Sequence, residues 1–209
     1  MHTPQSLYIT YAFPLDLIRR ELAMKRGIAY PSQEKVFETA TIWRQVWQRV
    51  NQEDRIIHQL HALTGVTLPY PVEANIIGGY FQAMSVPLII PITGNQREFL
   101  TETDFLNVCI HELTHRFLLP REDIPQIRGY WNALQERYAT ESRDTQNHIL
   151  VYALLKLVLP TLIGEECWQA CQKIDLPDYQ RAFDIMEERG AEDCLREFTD
   201  HLKAPSGKP

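Results

Sequence analysis

Residues 101–120 read TETDFLNVCIHELTHRFLLP, and the way this stretch folds sets the terms for the rest of the chain. Phe105, Val108, Cys109, Leu113 and Phe117 recur at steps of three and four, the period of a helix with one broad apolar face. Thr101 with Asp104 three residues on resembles a capping arrangement, with Asp in the place of the usual Glu or Gln. Pro120 stops the run. A helix so covered is expected to be largely buried. It nevertheless carries His111, Glu112 and His115, and buried polar groups are costly unless something engages them.

The spacing names a candidate. Residues four apart on a helix differ by about 40° around its axis, so His111 and His115 project from one face. Two imidazoles set this way suit a zinc ion, and the glutamate beside the first is placed to take a proton from a water held there. With seven histidines in 209 residues, chance produces a His-Glu-x-x-His run with a probability of only roughly 2%, so the pattern warrants a chemical hypothesis.

A catalytic zinc takes three protein ligands and keeps one position open. Working downstream, Glu122 follows too closely on His115 to fold back, and Glu136 falls on the polar side of its helix. His148 heads an apolar run in which Val151, Tyr152 and Leu155 continue its face, so it points inward and ranks first as third ligand. Glu141 ranks second, because it extends the stripe of Ile127, Tyr130, Trp131, Leu134 and Tyr138; it could equally accept a hydrogen bond from a ligating imidazole. Glu165 and Glu166 lie further on. Tyr130, Tyr138, Tyr152 and Arg116 are candidates to stabilise a developing oxyanion, and the sequence does not choose among them.

His111–His115 followed by a second helix with a third ligand resembles the zincin metallopeptidases, especially small gluzincin-like domains. In gluzincins the downstream helix carries an Asn-Glu pair whose glutamate binds zinc; here Asn147-His148 stands at what resembles that place. The Gly and His that follow the second histidine in metzincins are absent. The resemblance covers roughly residues 70–160. It implies one Zn2+ per chain held by His111, His115 and His148, with Glu112 as general base in the hydrolysis of a peptide or protein substrate. The alternative keeps the metal and drops general proteolysis: a regulatory or toxin-associated protein, or a hydrolase of non-peptide amides.

On either side of this core the pattern predicts an α+β protein, mostly helical, with a small mixed sheet packed on the helix at 101–120 in a zincin-like arrangement. Leu7–Phe13 alternates as a strand does, and Leu15–Lys25 suits a short helix broken by Gly27–Pro31. From Ser32, an N-cap candidate, Val36, Ala40, Trp43, Trp47 and Val50 predict one long helix continuing through Ile57 and Leu60. His58 and His61 on it read as ordinary surface or half-buried residues. Val72–Ile77 is a strand, Gly78-Gly79 a turn or bulge, and Met84–Ile92 an extended segment whose Pro87 and Pro91 consign it to a sheet edge. Such an edge could pair with an extended peptide. Downstream come a helix opening near Pro125, a strongly apolar one over Thr145–Leu159 closed by Pro160, and three short helices, Gly164–Gln172, Tyr179–Glu188 and Ala191–Leu202. One domain over 1–202, its catalytic core at about 70–160, and a disordered tail at 203–209 complete the expectation.

Composition sets the limits. A hydrophobic fraction of 44% and a charged fraction of 23% are those of a globular protein. A net charge of −6 without a basic block argues against nucleic acid as partner. The longest apolar run, Ile149–Leu159, is interrupted by Lys156 and too short to span a bilayer, so no membrane association is expected. The first thirty residues lack a signal-peptide pattern, which predicts a cytoplasmic protein with reduced cysteines. Cys167 and Cys171 stand four apart, but no second pair completes a structural zinc site.

Overall fold

The computed structural model describes residues 7–68, 71–79, 82–94, 98–173 and 176–204. It is α+β and mostly helical. In chain order the elements are β1 (Leu7–Tyr11), α1 (Phe13–Lys25), α2 (Gln33–Val50), a 3-10 turn (Gln52–Asp54), α3 (Arg55–Thr64), β2 (Val72–Ile77), β3 (Leu88–Pro91), α4 (Glu102–Phe117), α5 (Pro125–Arg137), α6 (Arg143–Leu162), α7 (Glu165–Cys171), α8 (Pro177–Arg189) and α9 (Ala191–Lys203). Two compact units result: residues 1–57 with 68–113, and residues 58–67 with 114–209.

In the first unit the strands lie in the order β1-β2-β3. Leu7 is level with Val72, and Ala74 with Leu88. Both pairings are parallel, so the three strands form a parallel sheet and not the mixed one predicted. Helices α1 to α3 intervene between β1 and β2, the kind of long return that parallel strands need. Leu7 and Ile9 on β1 and Val72, Ala74 and Ile76 on β2 are buried, while Tyr8 and Glu73 face out. The helices laid most extensively on the sheet are α1 and α2, and α4 joins this layer through Phe105, whose ring stacks on Trp43 at 4.5 Å.

The edge strand is not an open ladder. Proline does consign β3 to the edge, but Met84 and Ile89 exchange both backbone hydrogen bonds (3.0 and 2.8 Å), and Pro91 has no N–H to offer. Ile92 N–H donates to Ile77, and Ile92 O accepts from Leu100. The chain thus covers its own edge where an incoming peptide would have to pair. At the opposite edge, Ile9 O accepts from the Arg44 guanidinium.

The long helix expected from Ser32 to Leu60 is two helices. Ser32 caps α2, accepting from Lys35 N–H. The break comes at Asn51, whose side-chain oxygen accepts from Ile56 N–H at 2.9 Å and so starts α3, while Glu53 and Asp54 adopt left-handed backbone (φ +53° and +54°). Apolar periodicity is almost continuous across the break, which is why the pattern conceals it.

Asp16 on α1 is wholly buried beneath this layer. It accepts from Tyr11 Oη (2.9 Å), Tyr30 Oη (2.6 Å) and Gly78 N–H (2.6 Å), with Arg20 at 3.5 Å. Burial, followed by the Asp16 carboxylate, pushes the Tyr11 phenol up to about 12. Glycine is required at 78, since a Cβ there would come within 2.5 Å of the Tyr30 ring.

The second unit is built around α6, which is buried nearly all round from Ile149 to Leu159. Pro160 does not close it: the helix continues to Leu162 and ends where Ile163 and Gly164 N–H both bond Leu159 O. A proline two residues from the end removes a single hydrogen bond, and the surrounding packing offsets that loss. Helices α7, α8 and α9 pack on α6, and α5 packs on α9. Glu197 on α9 receives Arg137 of α5 and Arg189 of α8. Helix α9 extends to Lys203, into the segment expected as a tail; residues 205–209 lie outside the described residues. No helix among the described residues is long and apolar enough to cross a membrane.

Candidate metal centre

Helix α4 starts with the reciprocal cap the sequence suggests. Thr101 N–H donates to Asp104 Oδ2 (2.9 Å), and Asp104 N–H donates to Thr101 Oγ1 (3.2 Å). Phe105, Cys109, Ile110, Leu113 and Phe117 are fully buried along it, leaving His111, Glu112 and His115 half-buried on the remaining face. Helix α6 is capped by Ser142, which accepts from Thr145 N–H at 3.0 Å. One turn in, His148 is 5% exposed.

The three imidazoles converge. One nitrogen from each of His111, His115 and His148 lies within 4.8 Å of the other two, a spacing that can surround a metal ion. Nε2 of His115 and Nε2 of His148 are 3.3 Å apart, with the rings nearly perpendicular at 85°. The proton on His148 can be assigned. Its Nδ1 lies 2.6 Å from Asp144 O, and a carbonyl only accepts, so Nδ1 carries the hydrogen and Nε2 presents its lone pair to His115. This is the arrangement by which metal-binding histidines are usually oriented.

Burial shapes the charge states. His115 is lowered to about 3, first by burial and then by His148. His148 is lowered as well, chiefly by burial, with the Asp144 carbonyl acting in the opposite sense. Both are therefore neutral at physiological pH, the form that ligates metals. Burial raises the Glu112 carboxyl to about 7.

Most of the other candidates are engaged elsewhere. Glu141 is not in the cluster: its Oε1 accepts from Arg181 Nε (3.0 Å) and Nη2 (2.9 Å). The Tyr130 ring is packed edge-on against Phe198, and Tyr138 Oη accepts from Arg189; Tyr152 stays near the cluster, its ring 6.3 Å from that of His148 and edge-on against Phe183. His61 pairs with Val66 O at 3.0 Å. Cys167 and Cys171 are free thiols, and among the described residues no other group of three possible ligands converges.

Two participants have no signal in the sequence. The Asp144 carbonyl is main chain, so no residue type announces it. Tyr179 on α8 lies with its ring centroid 3.9 Å from that of His148, tilted by 32°; it sits on a short, mostly polar helix, and nothing local marks it. Compared with family models, with curated proteins and with solved structures, the chain matches none of them.

Proposed function

We propose that this chain is a zinc metallopeptidase of zincin-like type in which His111, His115 and His148 hold the metal and Glu112 is the general base. The observation that carries this reading is the convergence of three imidazole nitrogens within 4.8 Å, one of them with its proton fixed on the far side of the ring. The donor set suits zinc, which in catalytic sites takes three protein ligands such as these imidazole nitrogens and one non-protein ligand. When bound, zinc supplies a Lewis acid that brings the pKa of water toward neutrality and polarises a carbonyl.

The chain's own residues do the rest. Glu112, beside the first ligand and half-buried, removes a proton from the attacking water and returns it to the leaving amine. Asp144 O holds His148 in the tautomer that leaves Nε2 free to ligate. The low exposure of His148 limits competition by solvent for that nitrogen. The four free cysteines are in keeping with a reducing, cytoplasmic setting.

A second reading keeps the same residues but makes the substrate a small non-peptide amide. The covered β3 edge favours it, because Met84 occupies the Ile89 backbone groups that an extended peptide would use.

Metal analysis of purified protein should find about one zinc per chain. Glu112→Gln should keep that zinc and lower turnover by roughly 10²–10⁴-fold, assayed in parallel on a peptide library and a panel of small amides. Absence of zinc sinks both readings. Full activity in the Gln variant sinks the role of Glu112, and the substrate class that is turned over decides between peptidase and amidase.

A further inference from the structure

Helices α6 and α8 meet in a strict register. His148 faces Tyr179 (ring centroids 3.9 Å), Tyr152 faces Phe183 (5.7 Å), and Lys156 Nζ bonds Glu187 (2.7 Å). Each step is four residues on both helices, so the two run in the same direction with their i, i+4 rows matched rung for rung. Trp168 of α7 backs the middle rung, 5.9 Å from Phe183.

The top of this ladder is pinned by polar contacts. Ser142 Oγ, the cap of α6, also donates to Asp178 Oδ1 at 2.8 Å, and Thr145 Oγ1 donates to Asp178 O at 3.0 Å. Arg181 reaches Glu141 from the same turn of α8. Asp178 and Arg181 bracket Tyr179, so the backbone carrying this ring is fixed against the start of α6, one turn before His148. An imidazole held at Nδ1 by one hydrogen bond can still rock about that bond. A ring face lying against it at 3.9 Å blocks the rocking motion on that side.

We propose that Tyr179 is a positioning residue of the metal centre: its ring, delivered by α8, clamps the His148 imidazole in the orientation that directs Nε2 at the metal. The inference rests on the zinc reading above and extends it by giving α8 a task. The ring meets the imidazole through its face, so phenylalanine keeps this contact and alanine removes it.

Zinc affinity of the full-length protein, measured by competition with a chromophoric chelator, tests this, with the visible spectrum of the Co2+-substituted protein as a second readout of ligand geometry. Tyr179→Ala should weaken zinc binding by about 10-fold, the lower end of what loss of an orienting partner costs, and alter the Co2+ bands. Tyr179→Phe should stay within about twofold of the parent on that scale. Phe183→Leu loosens the same helix pair one rung away without touching His148, and should bind zinc as the parent does. The proposal is overturned if Tyr179→Ala binds zinc like the parent, if Tyr179→Phe falls as far as Ala, or if Phe183→Leu falls equally. A parent protein that binds no zinc removes the zinc reading itself and this inference with it, an outcome separate from the other three.

Discussion

Asp16 and His148 are both buried polar side chains, and they are built on opposite principles. The Asp16 carboxylate is surrounded by unlike groups: two phenols and a backbone N–H bring hydrogens to its oxygens, and the Arg20 guanidinium stands 3.5 Å away as an ion pair. The cluster closes on itself and knits α1, the Tyr30 segment and the end of β2 together. At His148 the convergence is of like with like. Three imidazoles turn nitrogens toward a common point, and the one whose tautomer is fixed offers a lone pair there. Lone pairs gathered in that way are served by a cation. A set of complementary partners makes a structural joint; the set of identical ones is what we propose as a metal receptor.

That difference can be broken by exchanging the consequences of mutation. Asp16→Ala should cost the most stability, about 3–5 kcal/mol, because it removes the fully buried carboxylate that Tyr11 Oη, Tyr30 Oη and Gly78 N–H share as acceptor. Urea titration measures the loss, and the zinc content of the folded fraction should be unchanged. Next in size, chelating the metal should cost about 2.7 kcal/mol relative to protein in free zinc at 100 times its dissociation constant. In His148→Ala this dependence should vanish: its urea midpoint should be the same with and without zinc. If Asp16→Ala loses zinc stoichiometry as well, or His148→Ala remains zinc-stabilised, the division between joint and receptor fails. The smallest effect belongs to Glu141→Ala, which removes a solvent-screened ion pair with Arg181 and should leave the urea midpoint nearly unchanged. Its zinc affinity should match the parent; a large loss would return Glu141 to the ligand set.

The two clusters also differ in how far they can be read from the chain. His111, Glu112 and His115 are legible because one helical turn fixes their relation, and His148 because a histidine among Val151, Tyr152 and Leu155 has only an interior to face. Asp16 has no such context. Its partner at Gly78 is 62 residues away, and only the folded sheet brings them together. Sequence separation hides Tyr179 as well, since it lies 31 residues past His148. Local signals misled in two places: at Asn51 the apolar period runs through a helix break made by a single side-chain cap, and at Pro160 a residue that usually ends helices is tolerated by packing. The strand directions were open to error because short apolar runs say nothing about which way a strand enters its sheet.

The hydrogen bond from His148 Nδ1 ends on a main-chain oxygen. An orienting partner that belongs to a side chain disappears when that residue is substituted. This acceptor is present whatever residue occupies position 144, provided the first turn of the helix forms. The tautomer of the histidine is thereby insulated from sequence drift at the position that sets it. Variation at 144 can alter local charge or solubility and leave the donor set untouched, so tolerance to substitution there says nothing against a role in the centre.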